Sequence, residues 1–415
     1  MARNDPHIVG LDLGTTEVRA IIGEVVGEGR LEVVGIGRAE SRGVRKGVVV
    51  NLEATTDAVR RAIEEAELMS GVQIDSAYVG IAGAQVKGHN SRGVIAVSRR
   101  NREIARADVD RVIEQARSIA LPADREIIDV IPQEFTVDGQ DGISNPMGFL
   151  GMRLEATVHL VSSPITARQN VITSVNRAGI LVLDTVLEHW ASAEAVLTDD
   201  EKEFGTALVD IGGETTNLAI YHKGAVRHTT VLPIGGSHFT SDIAVGLRTP
   251  IPEAERIKRA HGCAIASLMD DRSRSTAVEV PSVGGRPPRM LSRQVLCEIL
   301  QPRAEEIFSH VYEEIEKNGF DRKLSSGVVI VGGGALMDGT IEIAEHVLDL
   351  PARCGVPRGI GGLSGEIDSP TCATAAGLLL FGYRKQNGSG GIYTNSEMEE
   401  SRMGRVRGMV RRLFK

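Results

Sequence analysis

Two short turns in this chain carry residue types that handle phosphate. One reads Asp12-Leu13-Gly14-Thr15-Thr16, the other Asp210-Ile211-Gly212-Gly213-Glu214-Thr215-Thr216. Gly and Thr together aim backbone N–H groups and hydroxyls at one point, which suits a phosphate oxygen. Gly also permits positive φ and close approach of a ligand to the backbone. The Asp opening each turn would repel phosphate directly. A hydrated Mg2+ between carboxylate and phosphate removes the conflict, because Mg2+ takes carboxylates plus phosphates and keeps its waters. Asp12 and Asp210 on opposing loops would grip one Mg2+ from both sides. Arg19, just beyond the first turn, adds a cation for the phosphates.

Each turn follows an apolar run and precedes another, so each reads as strand, tight turn, strand. One such loop is an ordinary hairpin. Two in matching contexts point to a duplicated domain holding a polyphosphate between its halves. The chain has no G-x-x-x-x-G-K-[ST] sequence and no G-x-G-x-x-G after its first strand. P-loop and dinucleotide folds are therefore disfavoured.

The elements that must position these loops come from a chain of 415 residues, too long for one core. Scarce aromatics (3%) beside 47 glycines fit an α/β protein rich in tight turns. Residues 7–50 read as consecutive strands, 53–70 as a helix and 76–82 as a strand. From Gln85 to about Leu160 the character changes, which suggests an inserted α+β module with a helix near 107–119 and a strand near 126–138. Ala156–Val161 is expected to resume the main domain, followed by helices at 167–178 and 183–197. Further helices are expected near 237–247, 252–260, 293–317 and 370–382, with a buried strand at 328–331 leading into Gly332, Gly333 and Gly334.

A formal net charge of −8 argues against a chain-wide nucleic-acid surface. The four cysteines form no CxxC pair and read as reduced thiols rather than disulfides or a zinc site. No signal-peptide h-region and no run of about 20 apolar residues is present, so the body is expected to be cytoplasmic.

Residues 386–402 are Gly/Ser/Asn/Glu-rich and read as a flexible linker. Beyond it, 403–415 fit an amphipathic helix. Val406, Met409, Val410, Leu413 and Phe414 share one apolar face, while Arg405, Arg407, Arg411, Arg412 and Lys415 take the flanks and opposite face. A basic amphipathic helix behind a polar linker reads as an in-plane membrane anchor. Anionic lipid attracts such basic residues at ~1 kcal/mol each, so five contribute at most ~5 kcal/mol before apolar insertion. The polar linker disfavours docking on the chain's own domain, and the clean apolar face disfavours nucleic acid.

The two loops together with Val331-Gly332-Gly333-Gly334-Ala335 resemble the phosphate-1, phosphate-2 and adenosine motifs of the actin, Hsp70 and sugar-kinase superfamily. Finer matches run through the whole chain: Ile131-Pro132-Gln133-Glu134-Phe135, His228-Thr229-Thr230-Val231, Thr240-Ser241-Asp242-Ile243-Ala244, His261-Gly262-Cys263-Ala264 and Val280 to Arg289. These resemble the bacterial cell-division family FtsA.

The resemblance implies an α/β, actin-like two-lobed ATPase fold with an inserted small α+β subdomain and a C-terminal amphipathic helix. Its first lobe would take 1–84 and 161–197, and the insert 85–160. The second-lobe core would take 198–235 and 306–385, with its small subdomain at 236–305. ATP would contact Asp12, Gly14, Thr15, Thr16 and Arg19, then Asp210, Gly212, Gly213, Thr215 and Thr216, and the adenosine loop. Glu255 and Lys258 match positions that face ribose and base. Glu188, in Glu188-His189-Trp190-Ala191 where relatives usually read Glu-Pro-Leu-Ala, is the candidate to orient water for at most slow hydrolysis; a solvated helix-start Glu is the competing reading. His189 and Trp190 read as packing residues. Glu214 stands where phosphate 2 usually has Gly, and Asn217 where it often has Asp. A carboxylate there repels the triphosphate unless it points away or contacts the metal.

The resemblance further implies a protein on the cytoplasmic face of the inner membrane at the division site. There it would bind the FtsZ C-terminal tail, self-associate head to tail, contact anionic lipid and recruit later division proteins. The alternative from the same superfamily is a sugar or small-metabolite kinase, for which no base motif is apparent.

Overall fold

The computed structural model describes residues 7–27, 29–98 and 101–387. The linker and the basic C-terminal helix expected at 386–402 and 403–415 lie, but for the first two linker residues, outside them. The described residues form two compact units. The larger takes the chain up to Ala84, Asn170–Gly224 and Val231–Tyr383; the smaller takes Gln85–Gln169, Ala225–Thr230 and the few residues after Tyr383.

The larger unit contains the same sheet twice. In the first, strand His7–Leu13 pairs antiparallel with Glu17–Val26 and parallel with Ser76–Ile81, which pairs parallel with Leu181–Leu187. In the second, Thr206–Ile211 pairs antiparallel with Thr216–His222 and parallel with Val328–Val331, which pairs parallel with Ala352–Cys354. The central strands are continuous apolar runs (Val328 to Val331 are all buried), as a sheet covered on both faces requires.

Helix Leu52–Ser70 shows how tightly the first sheet is covered. The Asn51 side chain accepts from the Ala54 N–H to cap its start, and Gly71 closes it at φ +71°. Its buried stripe of Ala58, Val59, Ala62, Ile63 and Ala66 lies on strand Arg30–Glu40. A Cβ at Gly37 would fall 1.8 Å from the Ala62 carbonyl oxygen, so only Gly permits that approach.

Two expectations change. Residues 183–197 do not form one helix: Leu181–Leu187 is a strand and the helix is Glu188–Val196. The apolar residues of the first half are used in parallel pairing with Ser76–Ile81, which periodicity alone does not distinguish from a buried helix. Second, Ala156–Val161 does not resume the first lobe. It lies within strand Arg153–Pro164, which is central to the smaller unit and pairs with Lys87–Ala96 on one side and Arg125–Val137 on the other. Leu154, Ala156, Val158 and Leu160 face a core shared with helix Arg106–Arg117, so the module runs past residue 160.

Candidate functional site

Both Asp-Gly-Thr turns join the paired strands of their sheet in the same register. Asp12 lies across from Arg19 and Leu13 from Val18; Asp210 lies across from Asn217 and Ile211 from Thr216. The turns meet inside the larger unit. A Cβ on Gly213 would sit 2.7 Å from the Thr16 methyl, so Gly at 213 lets the loops touch. The third Gly-rich segment crosses beneath Asp210. Gly332, at φ +82°, leaves room 2.4 Å from an Asp210 carboxylate oxygen that any Cβ would fill.

Together they line a cleft of about 600 Å³. Of the residues expected at the site, Asp12, Gly14, Thr15, Thr16, Arg19, Glu188, Asp210, Gly212, Gly213, Thr215, Glu255, Lys258, Gly332, Gly333 and Gly334 all border it. Thr216 does not. It is fully buried, and its hydroxyl donates to the Ile234 carbonyl at 2.8 Å, because strand alternation turns it away from its neighbour Thr215.

The cleft floor concentrates acid. Burial raises the Asp12 carboxyl to about 7, with Arg19 opposing and Asp210 and Glu17 adding to the rise. Burial raises Asp210 to about 6, while hydrogen bonds from the Ser192 and Thr374 hydroxyls favour its charged form and limit the rise. Glu188, the first residue of its helix, is pushed well above the carboxylate range by burial and then by Asp12 and Asp210. Asp12 therefore feels the Asp210 charge across the two loops, and Glu188 feels both.

Arg19 is buried, pairs with Glu17, and keeps its Nε without a partner. Asn217 is likewise buried with an unpartnered Oδ1.

At the other end, helix Ile251–His261 presents Glu255 and Lys258 as a 2.6 Å ion pair. Burial works against the Glu255 charge, but Lys258, Thr240 and Arg259 hold its carboxyl down to about 2. The Lys258 ammonium also donates to the Gly236 carbonyl and the Thr240 hydroxyl, each at 2.9 Å. Helix Gly236–Leu247 begins at the second loop, where the Gly236 and Ser237 N–H groups donate to Gly212 and Gly213 at 2.8 and 2.7 Å.

Glu214 points away from the cleft floor. Its carboxylate accepts the Lys46 backbone N–H at 2.7 Å. Lys46 and Gly47 form a tight turn, both at positive φ (47° and 71°), between strands Val44–Arg45 and Val48–Val49. Gly47 N–H reaches the Thr15 hydroxyl at 3.4 Å, and the Ala84 N–H donates to the Lys46 carbonyl at 3.3 Å. One small turn thus touches both loops and the last residue of the larger unit's first segment.

His189 is buried with both ring nitrogens unpartnered, and burial lowers its pKa to about 4, so it is neutral. Trp190 packs edge-to-face on Phe381 at 5.3 Å. Sequence reading missed Ser192, Thr374 and the Lys46–Gly47 turn. The two hydroxyls sit in ordinary helical sequence, and only the Lys-Gly pair carried a turn signal.

Solved structures share this architecture. The PilM-PilN type IV pilus biogenesis complex superposes with a TM-score of 0.65 at 16% identity, covering 91% of this chain and 98% of that one. MreB5 of Spiroplasma citri, solved bound to ADP, gives 0.57 at 17% identity, covering 93% and 99%. The fold is that of the actin-like, two-lobed α/β proteins.

Within that class the sequence is specific. Residues 207–377 match the family model for cell division protein FtsA, and 83–162 match the SHS2 domain inserted in FtsA. Cell division protein FtsA of Pseudomonas aeruginosa is 45% identical over 413 residues, 98% of each chain. That of Escherichia coli is 40% identical over 382 residues, 90% of each. The chain belongs to the FtsA family, and its function is that of an actin-like cell-division protein.

Proposed function

We propose that the cleft binds Mg·ATP, and that the chain uses this nucleotide-loaded fold to tether the FtsZ ring to the cytoplasmic membrane face at the division site. The observation that carries the nucleotide reading is the meeting of three Gly-rich segments and three acids around one cleft. The residues present fit the ligand. A Cβ would fill the cradle at Gly213 and Gly332, and the unpartnered Arg19 Nε and Asn217 Oδ1 offer a donor and an acceptor. The raised Asp12 and Asp210 carboxyls are groups that a divalent cation would ionise.

In this reading Asp12 and Asp210 would hold a hydrated Mg2+, which would neutralise phosphate charge. No three-ligand cluster for direct coordination occurs among the described residues, and this contact needs none. Thr15, Thr16, Gly213 and Thr215 border the phosphates, Arg19 adds positive charge, and Glu255 and Lys258 face ribose and base. Glu188, its proton retained by burial and by the neighbouring Asp12 and Asp210, would orient water only when ionised, which fits at most slow hydrolysis.

Residues 403–415 supply the lipid contact, and no helix among the described residues is long and apolar enough to cross a membrane. The second-lobe small subdomain receives the FtsZ tail, copies of the chain assemble head to tail, and the inserted module meets later division proteins. Pelleting with anionic liposomes, with and without Mg·ATP and FtsZ, tests the whole reading. The full chain is expected to sediment and bring FtsZ down, and deletion of 403–415 to abolish sedimentation while ATP binding stays. Undiminished lipid binding by the truncated chain would refute the anchor.

A further inference from the structure

Lys258 borders the cleft, yet its ammonium is fully engaged within the fold. It reaches the Glu255 carboxylate at 2.6 Å, and the Gly236 carbonyl and Thr240 hydroxyl at 2.9 Å each. A lysine ammonium has three N–H donors and accepts nothing, so these three partners fill it. The acceptors are held in turn. The Thr240 hydroxyl donates to the Glu255 oxygen that Lys258 pairs with, and Arg259 donates to the other oxygen at 2.7 Å. Arg19, at the phosphate end, makes the contrast: it is buried but keeps its Nε without a partner.

Gly236 gives this cluster its reach. It opens helix Gly236–Leu247 and meets the second phosphate loop. Its N–H donates to the Gly212 carbonyl at 2.8 Å, and the Ser237 N–H donates to the Gly213 carbonyl at 2.7 Å. A trans peptide points its N–H opposite its C=O. Each carbonyl drawn to the helix therefore turns the next N–H, of Gly213 and of Glu214, away from it. The direction of these loop N–H groups decides whether they can meet a phosphate oxygen. A hydrogen-bonded chain thus runs from Glu255 through Lys258 and Gly236 to the two loop carbonyls.

We propose that Lys258 is a positioning residue that ties the sugar end of the cleft to the second phosphate loop. Polyphosphate binding then depends on an ammonium that gives the ligand no bond of its own. This role rests on the nucleotide reading of the cleft and adds to it how the two ends are held in register. Removing the ammonium releases the Gly236 carbonyl, and the helix start that aims the loop loses an anchor.

The test uses the full chain at fixed Mg2+ and two probes, ATP and inorganic tripolyphosphate, which has phosphates but no sugar or base. Each displaces a fluorescent ATP analogue. Lys258→Met should weaken tripolyphosphate about fivefold, the effect of one lost hydrogen bond, and ATP at least as much. Lys258→Gln, which keeps a polar end, carries the same comparison if Lys258→Met does not fold. Arg256→Met lies on the same helix, in an exposed pair with Glu253, and should leave both affinities unchanged. The proposal fails if the Lys258 variants weaken ATP and not tripolyphosphate, because the ammonium then contacts sugar or base directly. It also fails if they lower only the melting temperature, or if Arg256→Met weakens tripolyphosphate as much as they do. Wild-type protein that binds ATP but not tripolyphosphate would sink this role alone; wild-type protein that binds neither would sink the nucleotide reading itself.

Discussion

The two phosphate-type hairpins share a register, yet each solves the problem of a buried Asp differently. Asp12 faces Arg19 across the ladder, so the first copy answers a carboxylate with a neighbouring cation. Asp210 faces Asn217 and relies on the Ser192 and Thr374 hydroxyls. The first loop keeps its Thr pair at the tip, whereas the second spends its Glu214 on the Lys46–Gly47 turn. The two hairpins keep one backbone cradle while their side chains divide the work: charge balance in one, bridging in the other.

The largest test of this division removes the acid that faces no cation across its ladder. Asp210→Ala should weaken Mg·ATP binding roughly 10- to 100-fold, as loss of a group orienting a metal does. Titration calorimetry at fixed Mg2+ reads it, and unchanged affinity would count against the paired-Asp site.

An intermediate effect comes from pH. Both Asp pKa values are raised in the fold, to about 7 and about 6 from 3.8. Stability from retaining those protons is fully present below 3.8 and is lost as pH rises through 6 to 7. The melting temperature of ligand-free protein should therefore fall across that window. Mg·ATP binding should strengthen over the same window and release protons. Asp12→Asn should flatten the upper part of the profile; a profile unchanged by it would mean that Arg19 already keeps Asp12 ionised.

The smallest effect belongs to the bridge. Glu214→Gln keeps the shape but weakens the acceptor, and Glu214→Ala removes it. A partly exposed hydrogen bond of this kind contributes about 1 kcal/mol. Nucleotide release should accelerate a few-fold in stopped-flow measurements, more for Ala than for Gln. Slower release from Glu214→Ala would instead identify this carboxylate as a repulsive neighbour of the phosphates.

Much of this was legible beforehand because Gly and Asp at turns state their backbone needs locally. The two loops were read from residue type and spacing; the roles of the Gly332 segment and of Glu255 and Lys258 came from the family resemblance. What escaped depended on partners distant in sequence. Residues 183–187 looked helical because nothing local announces the strand Ser76–Ile81 that Leu181–Leu187 pairs with. Thr216 was grouped with Thr215, although strand alternation sends adjacent side chains to opposite faces. Ser192 and Thr374, 182 residues apart, meet only because helix Ala373–Gln386 packs back on helix Glu188–Val196. The direction of Glu214 was beyond any motif, since its partner is a backbone amide 168 residues away.

That amide has a practical consequence. The Lys46 N–H is protected by a carboxylate from the opposite lobe, so it stays shielded from solvent deuterium only while the lobes remain together. Its exchange rate is a native stopwatch for breathing of the cleft, one that needs no attached probe or added ligand. It ticks in every copy of the chain, free in solution or within an assembly.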